Sequence, residues 1–205
     1  MKRLALSLIF AFLMLAPCAL AQEAKGLLID DFEGAITGGP EGTIDFGFGN
    51  GSVMNVTAST DIKNTGNQSI KAEYDAISGG YVWIARGYGL DVKGAACWLV
   101  KPEDIDWTKY NAVSFYMYGQ DSQGLVAVDL KDAGGEMWRC MINDDFTGWK
   151  QIVCPFDKFT ARTDWQPQTA DGNGALDFPL KSFQFEPLPE SKGILYFDTV
   201  ELINK

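Results

Sequence analysis

The sequence predicts an all-β fold, an antiparallel β-sandwich of the jelly-roll type, and three observations support this prediction. Residues beyond position 21 show no long stretch of helical periodicity. Short β-rich runs alternate with clusters of Gly, Asn, Asp and Pro, at the spacing that is typical of a sandwich. Within several runs apolar and polar side chains alternate, as they do in antiparallel strands with one buried face.

Ten runs are predicted as strands because they are rich in β-branched and aromatic residues and end at turn residues. They span residues 27–32, 52–57, 69–74, 81–86, 112–118, 125–131, 137–142, 150–154, 182–186 and 194–203. Turn signals rich in glycine lie at 38–40, 47–51, 79–80 and 134–135. Residues 102–107 predict a short helical turn or loop, and 156–180 is the longest stretch without strand character. Long ordered loops often contain functional residues.

The first 21 residues predict a cleaved signal peptide. Lys2 and Arg3 form a basic start, residues 4–15 are apolar and uncharged, and residues 19–21 have the small-x-small pattern of a cleavage site. This apolar run is too short for a permanent membrane helix, which needs about 20 residues. A lipoprotein signal ending at Cys18 is the alternative, but the proline before that cysteine fits such a signal poorly. Residues 22–205 are then expected to form one domain of a secreted or periplasmic protein.

The charge of the chain excludes several partners. Loss of Lys2 and Arg3 with the signal peptide leaves 15 basic and 27 acidic residues, a net charge of −12. A surface this acidic repels phosphate groups, so we expect neither nucleic acid nor anionic membranes to bind. The chain contains no histidine, which excludes an ordinary Ser-His-Asp or Cys-His hydrolase and removes the commonest zinc ligand.

Three cysteines remain after cleavage, and the pair Cys140 and Cys154 is a possible disulfide. The two residues belong to predicted strands joined by the turn-rich residues 143–148. A hairpin centred near Thr147 would place them opposite each other, within the reach of a disulfide. The alternative is a pair of small buried thiols in the core.

Acidic residues near both ends of the domain form a candidate calcium site. The first and last strands of a jelly roll commonly pair, which would bring together Asp31, Glu33 and Asp198. Carboxylate oxygens suit a hard cation such as calcium, and carbonyl groups of residues 64–69 could complete the shell. The alternative is that these carboxylates are simply solvated charges at strand ends.

Six segments, taken in order, resemble the family-eleven carbohydrate-binding modules and the related galactose-binding-like jelly rolls. They are Asp-Asp-Phe-Glu-Gly at 30–34, Gly-Asn-Gln-Ser-Ile-Lys-Ala-Glu-Tyr at 66–74, Tyr-Asn-Ala-Val-Ser-Phe-Tyr at 110–116, Thr-Gly-Trp-Lys-Gln-Ile-Val-Cys-Pro-Phe at 147–156, Trp-Gln-Pro at 165–167 and Gly-Ile-Leu-Tyr-Phe-Asp at 193–198. The resemblance implies a structural calcium near the joined termini, with Glu33 and Asp198 as acidic ligands and Asp31 and Asn67 beside them. It also implies a polysaccharide ligand of the β-glucan type on a concave sheet face.

Sugar recognition requires flat apolar faces flanked by groups that bond hydroxyls. Alternation sends Tyr116 and Tyr118 to the face opposite Val113, Phe115 and Met117, which favours exposure on the groove. By the same reasoning the predicted ligand-binding residues are Tyr81, Trp83, Tyr116, Tyr118, Asp129, Arg139, Gln151, Gln184 and Glu186. The aromatic residues predicted for the core are Phe115, Trp149, Phe183 and Phe185.

The sequence thus predicts a non-catalytic carbohydrate-binding domain. One alternative is a small glycanase in which Asp129 and Glu186 serve as acid and base across a groove. Another is an interaction or assembly domain whose exposed aromatic residues contact other secreted or cell-surface proteins.

Overall fold

The computed structural model describes residues 26–205, which contain twelve strands. In chain order they are β1 (Leu27–Asp30), β2 (Asp45–Gly49), β3 (Val53–Ser59), β4 (Ser69–Ala76), β5 (Tyr81–Gly87), β6 (Ala112–Gln120), β7 (Leu125–Lys131), β8 (Met137–Asn143), β9 (Thr147–Pro155), β10 (Thr160–Ala161), β11 (Ser182–Pro187) and β12 (Ser191–Ile203). Short 3₁₀ turns occur at Lys93–Ala95, Pro102–Asp104, Trp107–Lys109 and Phe156–Lys158. The predicted signal peptide lies outside the described residues.

These strands form two antiparallel six-stranded sheets, which confirms the predicted sandwich. Sheet 1 has the order β3-β4-β12-β6-β9, and β1 pairs with the end of β12. Sheet 2 has the order β10-β8-β7-β11-β5-β2. Within residues 26–205 no helix has the length and apolar character needed to cross a bilayer.

The core lies between the two sheets and is built from the apolar positions of the alternating strands. At its centre the rings of Phe185 and Phe197 stack with centroids 4.2 Å apart, and Phe115 lies 4.6 Å from Phe185. Each such fully buried side chain contributes about 1.5–3 kcal/mol through the hydrophobic effect. The predicted core positions Phe115, Phe183 and Phe185 are confirmed. Trp149 was predicted wrongly, because it is half-buried on the outer face of sheet 1.

The predicted pairing of the first and last strands is confirmed. β1 runs antiparallel to β12, with Leu27 opposite Leu202 and Leu28 opposite Glu201. β12 also pairs with β4 along its first half and with β6 on its other edge. The last strand of the chain therefore lies in the middle of sheet 1.

All ten predicted runs are strands in the structure, with ends that differ by a few residues. Two strands were missed. β2 occupies residues that were assigned in part to a glycine-rich turn, since two of its five residues are glycine. β10 has only two residues and lies within the stretch predicted to lack strands.

Candidate functional site

The outer face of sheet 2 contains an open groove of about 880 Å³. Strands β5, β7, β8 and β11 form its floor, and the loop after β10 forms one wall. The outward-facing side chains of these strands lie in neighbouring rows. Gln184 lies opposite Asp129, and Asp129 lies opposite Arg139, so these three side chains cross the groove side by side.

Asp129 is the centre of an ionic network on the groove floor. Its side chain is completely buried and accepts a bidentate pair of hydrogen bonds from Arg139, Nε to Oδ1 at 2.7 Å and Nη2 to Oδ2 at 2.8 Å. Oδ2 also accepts from Arg162 Nη1 at 2.8 Å and from Gln184 Nε2 at 3.2 Å. A carboxylate with this many donors is held in one orientation, because moving it would leave charged groups unpaired.

Glu186 completes the network from β11. Its Oε2 accepts from Arg139 Nη2 at 2.6 Å, from Arg162 Nη1 at 3.1 Å and from Gln184 Nε2 at 3.0 Å. Burial raises the pKa of Glu186, while the two neighbouring arginines act in the opposite direction. The same pair of guanidinium groups therefore neutralises both carboxylates on the groove floor.

Asp164 connects the wall of the groove to its floor. It accepts two hydrogen bonds from Arg162, Nε to Oδ1 at 3.1 Å and Nη2 to Oδ2 at 2.8 Å. These bonds lower the pKa of Asp164 to about 2. Its side chain is 58% exposed, so the pair is screened by water and contributes less than the buried contacts of Asp129.

Aromatic side chains lie on two sides of this network. Tyr81 and Trp83 are outward-facing on β5, and Trp165 follows Asp164 in the wall loop with 55% of its surface exposed. The guanidinium carbon of Arg162 lies 5.7 Å from the Trp165 ring centroid, a cation–π contact that orients the ring. An apolar ring on either side of fixed polar groups is the arrangement that binding of a pyranose requires.

The side chain of Gln166 holds the wall loop against β8. Its Oε1 accepts from the Met137 N–H at 2.7 Å, and its Nε2 donates to the Met137 carbonyl at 2.9 Å. Nε2 also donates to the Arg162 carbonyl at 3.0 Å. The amide thus bonds to the backbone as a neighbouring strand residue would, and it fixes the residues on either side of it.

Six of the predicted ligand-binding residues meet on this face, namely Tyr81, Trp83, Asp129, Arg139, Gln184 and Glu186. Sequence reasoning missed the wall residues Arg162, Asp164 and Trp165. A signal for them existed in the Trp-Gln-Pro segment at 165–167 within the longest stretch predicted as loop.

Tyr116, Tyr118 and Gln151 do not line the groove, which corrects the predicted site. They belong to β6 and β9 and lie on the outer face of sheet 1. The prediction that both tyrosines point away from the core is correct, since both are half-buried beside fully buried neighbours. The Tyr118 ring contacts Trp149 and Tyr196 edge-on, with centroids 5.5 and 5.7 Å away. Alternation gave the correct face of the strand but could not show to which sheet the strand belongs.

The structure brings Glu33, Asn67 and Asp198 together where the termini meet. Glu33 Oε1 accepts from the Asn67 N–H at 2.7 Å and its Oε2 from the Asn67 side chain at 2.9 Å. Asp198 is buried, and its Oδ2 accepts from the N–H groups of Asn64 at 2.8 Å and Thr65 at 3.1 Å. Both carboxylates therefore bind the same loop, residues 64–68.

This loop presents N–H groups, rather than the carbonyl groups that a calcium ion binds. Asp31 accepts from the Glu33 N–H at 3.1 Å within its own turn. Within residues 26–205 no group of three or more Asp, Glu, His or Cys side chains is arranged to hold a metal ion. The contacts as described do not form a calcium shell, and calcium at this corner stays a prediction.

Cys140 and Cys154 are close together as free thiols, but not across a hairpin. β8 belongs to sheet 2 and β9 to sheet 1, so the pair meets between the sheets, which corrects the predicted geometry. A hydrogen bond from Cys154 lowers the pKa of Cys140, and the same bond with burial raises the pKa of Cys154. A disulfide here would link the two sheets, and it stays a prediction.

Comparison with known families identifies the domain. The carbohydrate-binding domain family 11 matches residues 16–205. This chain belongs to family 11. Among curated proteins it is similar to endoglucanase H of Acetivibrio thermocellus, with 27% identity over 86% of this chain, and to a mannan endo-1,4-beta-mannosidase of Bifidobacterium adolescentis, with 23% identity over 78%. The matches cover 18% and 14% of those enzymes, so the family 11 chain spans less than a fifth of either relative.

Solved structures show the same fold. A family 11 module of Clostridium thermocellum in complex with a beta-1,3-1,4-mixed-linked tetrasaccharide superposes with a TM-score of 0.66 at 24% identity, covering 88% of this chain and 97% of that one. A family 30 carbohydrate-binding module superposes with a TM-score of 0.56 at 13% identity, covering 89% of this chain and 100% of that one. At these identities the likeness shows the sandwich fold.

Proposed function

We propose that the groove on sheet 2 binds a neutral β-linked glucan and does not cleave it. The observation that supports this most directly is the arrangement of Tyr81 and Trp83 on one side and Trp165 on the other side of a polar floor. Aromatic rings cover the C–H faces of pyranose units, and the carboxylate and guanidinium groups between them bond the hydroxyls. The openness of the groove suits a long chain rather than a single small molecule.

The charges of the groove favour an uncharged ligand. Arg139 and Arg162 are each bonded to Asp129 and Glu186, so neither guanidinium group is free to pair with an anionic sugar. A uronic acid would also approach three carboxylates in the same network. A sugar hydroxyl group can donate a hydrogen bond to a carboxylate of the network and accept one from a guanidinium group, without changing the net charge of the groove.

A mixed-linked glucan is the ligand to test first. The family 11 structure from Clostridium thermocellum was solved with a beta-1,3-1,4-mixed-linked tetrasaccharide, and this chain belongs to the same family. The B. adolescentis relative is a mannosidase, which makes β-mannan the natural comparison ligand.

Asp129 and Glu186, the acid and base of the glycanase alternative, are both bonded to arginines. Asp129 is completely buried, and all the hydrogen bonds described for it come from Arg139, Arg162 and Gln184. A general acid or base needs a carboxyl group that can reach the glycosidic oxygen or a water. These contacts favour recognition over hydrolysis.

Isothermal titration with mixed-linked β-glucan, β-mannan and a polyuronate tests the proposal. We expect binding to the neutral glucan, at least a tenfold loss in Trp83→Ala and Trp165→Ala, and an unchanged affinity in Leu99→Ala, an apolar residue outside the groove that is as exposed as Trp165. Absence of binding to any neutral glucan would overturn the proposal. Release of reducing ends that disappears in Glu186→Gln would instead establish a glycanase.

We also infer that the protein is exported, on the basis of the basic and apolar pattern of residues 1–21. N-terminal sequencing of protein recovered from the medium or periplasm of the expressing cells tests this, with Gln22 expected as the first residue. An N-terminus at Cys18 that carries lipid would favour the lipoprotein alternative.

A further inference from the structure

Strand β2 forms the edge of sheet 2 beside the aromatic residues of the groove, and its sequence is unusual for a strand. It reads Asp-Phe-Gly-Phe-Gly, with Phe46 and Phe48 alternating with Gly47 and Gly49. Glycine weakens a strand because it has no side chain to pack and loses more backbone entropy on folding than any other residue. Two glycines on the same face of one short strand therefore require a physical reason.

Backbone conformation does not supply that reason. The glycines with positive φ in the described residues do not include Gly47 or Gly49. Both lie in extended backbone that an alanine would adopt equally well. The need for glycine at these two positions must therefore come from steric limits on the face of β2 where a Cβ atom would lie.

That space is filled by the two aromatic rings of β5. Gly47 is directly opposite Trp83 and Gly49 is directly opposite Tyr81 in the antiparallel register. A Cβ atom at position 47 would lie 2.9 Å from Nε1, Cε2 and Cζ2 of Trp83. At position 49 it would lie 2.5 Å from Cζ and Oη of Tyr81, closer than van der Waals contact allows. Each ring occupies the place where its partner's side chain would be.

We propose that Gly47 and Gly49 are positioning residues of the groove, because they allow the rings of Trp83 and Tyr81 to lie across β2. This inference rests on the proposed function of the groove and names the residues that orient its aromatic side. Rings that extend over the neighbouring strand leave the network of Asp129, Glu186 and the two arginines open to the ligand. They also widen the aromatic surface that a flat glucan chain can contact.

A side chain at either position would turn the ring toward the other neighbour of β5. That neighbour is β11, which presents Gln184 and Glu186. The displaced ring would cover these polar groups and narrow the groove. The clash falls on the outer part of a rotatable side chain, so the ring can move without unfolding the sheet. The substitution should therefore change ligand binding far more than stability.

Gly47→Ala, Gly49→Ala and the double variant test this proposal, with Gly34→Ala as the matched control. A Cβ at Gly34 has no atom within 4 Å, and its φ is not positive, so the control makes the same chemical change without meeting a ring. Titration calorimetry measures affinity for mixed-linked β-glucan, and thermal melting measures stability. Tryptophan emission is compared with that of Trp83→Ala, because Trp83 is one of six tryptophans and its signal must be isolated by difference. We expect at least a tenfold loss of affinity in the double variant, a shifted emission spectrum in Gly47→Ala, and melting close to the wild-type value.

A double-mutant cycle separates positioning from a structural role. If Gly47 acts through Trp83, Gly47→Ala adds nothing to the affinity loss of Trp83→Ala. Wild-type affinity in both glycine variants would overturn the inference, as would a large fall in melting temperature with affinity unchanged. Failure of the wild-type protein to bind any glucan would instead refute the proposed function.

Discussion

Replacement of Asp129 by Asn tests whether the ionic network holds sheet 2 together. The substitution keeps the size of the side chain but removes its charge and turns an amide N–H₂ toward donors of Arg139 and Arg162. In the native protein Asp129 is completely buried and accepts four hydrogen bonds, three of them from guanidinium groups. Removal of one partner from a buried ion pair costs about 3–5 kcal/mol. In Asp129→Asn both arginines keep their contacts to Glu186, but the buried bidentate pair of Arg139 with Asp129 and the contact of Arg162 to Asp129 are lost.

The matched control is Asp164→Asn, which removes a carboxylate from the same network at an exposed position. Asp164 also bonds Arg162 at two points, but its side chain is 58% exposed. Exposed ion pairs contribute at most about 1 kcal/mol. For a chain of this size each kcal/mol shifts the melting temperature by about 2–4 °C. We therefore expect a fall of about 6–20 °C in Asp129→Asn and of about 4 °C or less in the control.

Circular dichroism melts and urea unfolding at pH 7 measure both effects. If Asp129→Asn melts within about 4 °C of the native protein, or no lower than Asp164→Asn, the network does not stabilise the sheet and the reasoning is wrong. Glucan affinity measured below the melting transition shows in addition whether Asp129 contributes to the ligand site.

Four further results are expected. Because the pKa of Asp164 is lowered to about 2, its contribution to folding stability is present above pH 4 and is lost as the pH falls toward 2. The difference in melting temperature between wild type and Asp164→Asn should therefore shrink over that range, and a constant difference would contradict the lowered pKa. Tyr118→Ala should retain glucan affinity, since its ring lies on sheet 1, and a loss would show that sheet 1 also binds. Chelation should lower the melting temperature if calcium joins the termini, whereas no change would mean that the carboxylate bonds to the 64–68 loop and the β1–β12 pairing hold them without a metal ion. Oxidation should remove two titratable thiols, at Cys140 and Cys154, and raise the melting temperature, and an unchanged thiol count would exclude that disulfide.

The fold was predictable because period-two alternation and turn residues are local signals. Runs such as 125–131 contain both, and β7 has the predicted bounds. β2 was missed because Gly47 and Gly49 favour a turn by local propensity. In the structure they pair with β5, whose aromatic rings lie over them. Tertiary contact decided the conformation there, and no local pattern contains that information.

Part of the site could be predicted only with knowledge of which sheet each strand belongs to. Trp83 and Tyr118 have the same signature, an aromatic residue that alternates with buried aliphatic ones, yet they lie on opposite outer faces of the sandwich. Arg162 and Trp165 belong to a loop that is held to β8 by the Gln166 side chain, by a backbone bond from Arg162 to Met137 and by the short strand β10. Contacts of this kind join residues far apart in sequence, so composition and spacing could not predict them.

The central place of β12 in sheet 1 affects how the molecule folds. Its thirteen residues pair with β1, β4 and β6, although β12 follows every other strand of the sandwich in the sequence. Without β12, sheet 1 is divided into the pairs β3-β4 and β6-β9, and β1 has no partner. Sheet 1 can close only after β12 has been made, and its dependence on distant contacts predicts slow, all-or-none folding. Until then the exposed edges of β4 and β6 can pair with other chains, which favours aggregation.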